Sequence, residues 1–255
     1  MHERLIRRAF NKAANTYNKF AFVQQEIALR LIDNLNIINF KPKIIADLGA
    51  GTGLLTKLLL SKYPNKNIIA IDFAEETLKL NQRKSKRIKT VCTNSYHLPF
   101  KDNSIDFIIS NLMLQWCANL DEILIEIHRV LKKNGLFIFS TFGPDTLIEL
   151  KKSWAEVDNN KHINDFFDMH TVGNELIKAK YLNPVINREN ITLTYDNVID
   201  LLKDIKCIGA NTVNNANKTL TPKFKFNAML KNYEKFRINN VLPTTYEVIY
   251  AHAWK

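Results

Sequence analysis

Residues 44–60 read IIADLGAGTGLLTKLLL. Three elements follow one another there: a buried apolar strand, a glycine-rich turn and an apolar helix. Gly49, Gly51 and Gly53 let the backbone turn sharply and approach a ligand more closely than a side chain would allow. A dinucleotide fingerprint has the spacing G-x-G-x-x-G, whose third glycine would fall where this chain has Leu54, so NAD is disfavoured. No Gly-Lys-Ser/Thr follows, which excludes a P-loop.

Outward from this stretch, short apolar runs near 44–48, 67–71, 88–93, 105–110 and 135–141 alternate with amphipathic segments. Such alternation predicts a parallel sheet covered by helices on both faces. Upstream, Val23, Ile27, Leu31 and Leu35 recur at a spacing that keeps one helix face apolar. The segment NLDEILIEIHRVLKKNG, 119–135, carries a stripe from Leu120 to Leu131. Asn119 with Glu122 is expected to cap its start, and Gly135 to stop it after Lys132 and Lys133. After Phe142 the pattern breaks into a helix through Leu147, Leu150, Trp154 and Val157, then a polar loop. A helix at about 171–181 should lead to a sixth strand at 188–195, and TYEVIYAHAWK forms a seventh. The chain therefore reads as one domain, 1–255. It has a helical prelude over 1–42 and cap insertions over about 143–169 and 196–242, both leaving the carboxyl ends of strands where ligands of such sheets sit.

With 255 residues and 46% of them hydrophobic, the chain buries a core without staples. Cys92, Cys117 and Cys207 are odd in number and show no metal-ligand spacing, so reduced thiols in a cytoplasm and no metal site are expected. No run reaches the roughly 18 apolar residues of a membrane span, and MHERLIRRAF has no apolar signal core. A formal charge of +11 suggests an acidic partner, either nucleic acid or an acidic protein, with compositional drift toward Lys-rich and Asn-rich stretches as the alternative.

Asp47 before the glycines gives an arrangement that resembles the S-adenosylmethionine loop of class I methyltransferases. That resemblance implies a Rossmann-like, seven-stranded, mostly parallel α/β sheet. It also implies that Asp47, Gly49, Gly51 and Gly53 hold the cofactor. Asp72 ends the next strand in IIAIDFA beside Phe73, where two ribose hydroxyls would donate charge-assisted hydrogen bonds of about 1.5–3 kcal/mol each; the alternative is that it caps the following helix. CTNSYHLPFKDNSIDFIISNL resembles the segment whose polar pair, here Asn94 and Ser95, touches adenine, with Asn111 on the next strand end. Asn94 stands where that family often has Asp, and its amide oxygen still accepts from the adenine amino group.

Beyond the loop, SNLMLQWCAN, STFGPDTLIELKKSWAEVD, HINDF, LLKDIKCIGAN, YEVIYAHAWK and the N-terminal AFNKAANTYNKFAFVQQEIA together resemble the malonyl-acyl carrier protein O-methyltransferase family of biotin synthesis. The resemblance implies methylation of the free carboxylate of a malonyl thioester, with acyl carrier protein as partner and neither nucleic acid nor membrane. It places Tyr17 at the catalytic centre, closing over the methyl site; Gln115 and Trp116 are catalytic candidates because they leave the fourth strand on the ligand side, where an amide can orient a carboxylate and an indole can wall off water. Phe10 is assigned to the substrate, with ordinary helix packing as its alternative. Lys206 is the candidate cation for the carboxylate, against a solvated helix lysine. Lys218, Lys223, Lys225 and Lys231 are candidates for carrier docking. Cys117 reads as a small filler rather than a nucleophile, and His162 and His170 receive no chemistry. Two other readings stay open: an arginine hydroxylase of the same fold that assists complex I assembly, and an RNA or small-molecule methyltransferase.

Overall fold

The computed structural model describes residues 2–213 and 221–255. The decisive stretch forms β1 (Ile45–Leu48), buried at every position, and α3 (Leu54–Lys62). On one side β1 pairs in parallel with β2 (Ile68–Asp72), which pairs with β3 (Ile88–Cys92). On its other side β1 pairs with β4 (Ile105–Asn111), which leads to β5 (Leu131–Phe142). The last strand, β7 (Leu242–Trp254), runs antiparallel between β5 and β6 (Leu182–Tyr195), giving the order β3-β2-β1-β4-β5-β7-β6. The chain thus leaves β1 in one direction and returns to β4 on the other side. That reversal opens a crevice at the carboxyl ends of the strands, where a ligand fits.

The sheet's two faces carry separate cores because successive side chains alternate. On β5, Leu136 and Ile138 join Phe107 and the Val23, Ile27, Leu31 and Leu35 stripe of α2 (Phe22–Asn36). Phe137 and Phe139 face the other way, among Ile123 and Ile127 of α5 (Leu120–Val130) and Val172 and Leu176 of α7 (Met169–Lys178). Each such fully buried side chain contributes about 1.5–3 kcal/mol. A third, smaller core brings together α6 (Ile148–Ala155), α8 (Val198–Cys207) and α9 (Lys223–Glu234) through Leu150, Trp154, Leu201, Met229 and Tyr233. These helices follow β5 and β6, so the cap is built from pieces far apart in sequence.

Three local expectations are corrected. Asn119 precedes α5 but its side chain makes no cap bond; its amide donates to Glu122 Oε1 at 2.7 Å instead. The left-handed residue after α5 is Asn134, with φ of 60°. Gly135 is required because a Cβ there would lie 2.7 Å from the Lys132 carbonyl oxygen. And β6 begins at Leu182 rather than near 188, since Leu182 pairs with Trp254 and Val185, Ile186 and Asn187 pair with His252, Ala251 and Tyr250 of β7, which holds this segment extended despite its polar residues. Within the basic run 83–89, Arg87 is partly structural, donating to the Pro64 carbonyl at 2.7 Å and to others at the end of α3.

Candidate active site

A cavity of about 360 Å³ lies at the carboxyl ends of β1, β2 and β4. Its floor is the glycine loop, and α1 (His2–Phe20) forms part of its wall through Ile6, Phe10 and Tyr17. Gly49, Gly51, Asp72, Phe73, Asn94, Ser95 and Asn111 all line it, as do Gln115 and Trp116. Asp47, Gly53 and Lys206 do not.

The three glycines are needed for different reasons. All have positive φ, at 74°, 50° and 88° for Gly49, Gly51 and Gly53. A Cβ on Gly49 would lie 2.4 Å from Met113 Cγ, and one on Gly53 would lie 2.2 Å from Asn81 Oδ1. At Gly51 the nearest atom is 4.0 Å away, so its missing side chain leaves open space in the cavity floor. The loop is held by N–H donation from Gly49 and Ala50 to the Ile71 carbonyl and from Gly51 to Asp72 Oδ2 at 2.8 Å.

Asp72 Oδ1 accepts from the Ala74 N–H at 2.8 Å, just before α4 (Glu75–Gln82), whose first turn receives no side-chain cap, and the residue also faces the cavity. Burial raises its carboxyl, opposed by the backbone donors of Ala74 and Gly51. Behind the loop, Asp47 Oδ2 accepts from Thr56 Oγ1 at 2.5 Å, and Asn81 Nδ2 donates to Thr56. The other oxygen, Oδ1, is buried without a partner. Burial, with a smaller contribution from Asp72, pushes the Asp47 carboxyl up to about 7. Burial and the charge of Asp72 also push the Tyr17 hydroxyl well above its ordinary value, so it stays protonated and able to donate.

The exit of β4 forms the opposing wall. Asn111 donates to the Gln24 carbonyl and accepts from Ser140 Oγ, which fixes its amide. Leu112, with φ of 53°, swings the chain into a short 3-10 turn, Leu114–Trp116. Trp116 meets Phe10 edge to face with centroids 5.3 Å apart, tying the turn to α1. Gln115 lies within 3.4 Å of Thr141 Oγ1. Burial pushes the Cys117 thiol up to about 12, which suits a filler rather than a thiolate nucleophile.

The cap supplies residues that sequence reasoning missed. Trp154, His162 and Asn164 line the cavity from the cap, and Tyr246 lines it from β7. Trp154 is legible as an aromatic on an amphipathic helix, but nothing local says that it faces a ligand. Lys206 is exposed on α8 away from the cavity, because the helix turns its Leu202 and Ile205 side there instead. Among the docking lysines, Lys223 and Lys231 are exposed, Lys225 is engaged with Asp158, and Lys218 lies outside the described residues.

A family model described as a methyltransferase domain matches residues 46–139, which span β1 to β5. A malonyl-acyl-carrier protein O-methyltransferase of Gallionella capsiferriformans is 40% identical over 263 residues, covering 99% of this chain and 91% of its own length. The chain belongs to the malonyl-acyl-carrier protein O-methyltransferase family. Its relative of Coxiella burnetii is 40% identical over 252 residues, covering 98% of this chain and 86% of its own. The fold agrees with solved structures: the YcgJ protein of Bacillus subtilis has a TM-score of 0.63 at 16% identity, over 89% of this chain and 97% of that one. Phosphoethanolamine N-methyltransferase 2 of Haemonchus contortus, solved in complex with S-adenosyl-L-methionine, has a TM-score of 0.59 at 14% identity, over 96% of this chain and 57% of that one.

This family member is an S-adenosylmethionine-dependent O-methyltransferase. The residues present fit that cofactor on two observations: the open floor at Gly51, and the Asp72 carboxylate that faces the cavity beside it, whereas Asp47, expected to hold the cofactor, lies behind the loop and does not line the cavity. No helix among the described residues is long and apolar enough to cross a membrane.

Proposed function

We propose that this methyltransferase esterifies the free carboxylate of a malonyl thioester carried on acyl carrier protein, in the cytoplasm, as an opening step of biotin synthesis. The near full-length likeness to relatives named for that reaction carries the reading, and it favours carboxylate methylation over arginine hydroxylation or RNA methylation. The whole chain acts as one domain, with the prelude and cap closing over the sheet.

Asp72, Phe73, Asn94, Ser95 and Asn111 would hold the cofactor, with the glycine loop beneath. Bound S-adenosylmethionine supplies an electrophilic methyl, which an oxygen of the acceptor carboxylate takes as the C–S bonding pair returns to sulfur. No proton leaves, because a carboxylate with a pKa near 4 is already ionised at neutral pH. A general base is therefore not required of this chain.

The residues instead position and dry the acceptor. Tyr17 keeps a protonated hydroxyl beside Asp72, and Gln115 offers an amide that orients an oxygen. Trp116 and Phe10, joined edge to face, exclude water. The test is transfer of labelled methyl to malonyl-carrier protein, malonyl-coenzyme A and RNA side by side. Ester on a malonyl thioester is expected; a protein that binds cofactor yet labels neither thioester would refute the assignment.

A further inference from the structure

An anionic acceptor entering this cavity needs a donor to meet it, and the cationic candidate from the sequence, Lys206, points elsewhere. Of all the described residues lining the cavity, His162 is the one whose side chain can bear positive charge. Its ring lies flat on Trp154, with centroids 3.6 Å apart and planes 8° apart, so it has little freedom to turn. Its Nε2 is 2.9 Å from Asp158 Oδ1, and the other Asp158 oxygen accepts from Lys225 Nζ at 2.8 Å.

These contacts decide which nitrogen carries hydrogen. Lys225 first, then His162, holds the Asp158 carboxyl well below the usual carboxylate range, so it is ionised and can only accept. Nε2 must therefore be the donor to Asp158. Nδ1 makes no hydrogen bond with any described residue and is the ring atom left for a ligand. The nearby Lys161 is taken up by Asp165 at 2.7 Å and does not compete. Asp158 and His162 come from the loop after α6 and Lys225 from α9, so the arrangement exists only when both cap insertions are assembled.

We propose that His162, fixed by Asp158, Lys225 and Trp154, is the anion-binding residue for the acceptor carboxylate, its Nδ1 donating, when the ring is protonated, to the oxygen that does not take the methyl. The proposal rests on the carboxylate reading above. Its energetic consequence is specific. The acceptor's negative charge disappears as the ester forms, so the ion pair is stronger with substrate than in the transition state. An interaction of that kind lowers KM without raising kcat, and it lets the neutral ester leave.

The experiment compares wild type with His162→Gln and Asp158→Asn on malonyl-carrier protein. Both variants are first titrated with S-adenosylmethionine to show an intact cofactor site. For His162→Gln, KM should rise roughly tenfold or more, as expected for loss of a charge-assisted hydrogen bond, with kcat level or modestly raised rather than lowered. Asp158→Asn should give a smaller rise. In wild type, a malonyl-pantetheine analogue should inhibit better than its neutral amide, and His162→Gln should lose that preference. A His162→Gln enzyme with unchanged KM and unchanged preference would overturn this assignment while leaving the carboxylate reading intact. A wild-type enzyme that does not methylate the malonyl group would bring both down.

Discussion

The two halves of the cavity are built by opposite routes. The half proposed for the cofactor is made of strand ends and the turns that follow them, each encoded within a few residues: the glycine loop, Asp72 with Phe73, and Asn94 with Ser95. The half proposed for the acceptor is made by α1, by the turn after β4, and by cap helices that pack through the small core of Leu150, Trp154, Leu201, Met229 and Tyr233. Backbone geometry dominates the first half. Long-range packing dominates the second. Damage to each should therefore have a different signature, local and binding-specific in one case, spread into stability in the other.

The largest expected effect tests the backbone claim. In Gly49→Ala the added Cβ would strike the Cβ and Cγ of Met113, close to its backbone, at a residue with φ of 74°. The loop cannot keep its path, and cofactor affinity should fall on the order of 100-fold in titration calorimetry. Affinity unchanged in that variant would break the comparison at its root.

Trp154→Ala tests the packing claim. Truncating this buried ring should destabilise the protein by about 3 kcal/mol in denaturant unfolding. The acceptor KM should rise while cofactor affinity in the folded protein stays close to wild type. Equal losses of cofactor and acceptor binding would show that the halves are not separable.

A smaller effect is expected from Tyr17→Phe, which keeps the wall and removes one protonated hydroxyl. Turnover should fall by roughly tenfold, in keeping with one lost hydrogen bond of about 1.5 kcal/mol, with cofactor affinity little altered. A variant of wild-type kcat would reduce Tyr17 to a wall residue.

The smallest effect concerns Asp47, buried under the loop. Its carboxyl rises from 3.8 to about 7 on folding, so between those values the folded state binds more protons than the unfolded state. Stability of the ligand-free protein should then fall as pH rises through that window. Asp47→Asn cannot titrate, and its melting temperature should fall less steeply by several degrees between about pH 5 and 7.5. Parallel melting curves for the two proteins would remove the buried proton from the account.

Legibility in the sequence follows the same division. The strand alternation and the glycine spacing are local signals, and they placed β1 to β5 within a few residues of where they lie. Most residues proposed for the cofactor line one cavity because strand ends and turns occupy fixed places relative to one another in a parallel sheet; Asp47 and Gly53 lie outside its lining. The stop after α5 was misread because Gly135 answers to backbone crowding from the Lys132 and Asp106 carbonyls, which the local pattern does not reveal. Lys206 was misplaced for a related reason: helix periodicity says that α8 has an apolar side but not which neighbour it meets. His162 carries no local mark at all. Its setting is assembled from Trp154, Asp158 and Lys225, the last of these 67 residues away from its carboxylate partner.

The central claim is that the methyl goes to a free carboxylate on a thioester acceptor. The most direct measurement supplies labelled S-adenosylmethionine with malonyl-carrier protein and, in parallel, acetyl-carrier protein, then treats each product with mild alkali. Label on the malonyl acceptor alone, released by alkali as methanol, is the expected result. Label on the acetyl acceptor, or label that resists alkali, would contradict it.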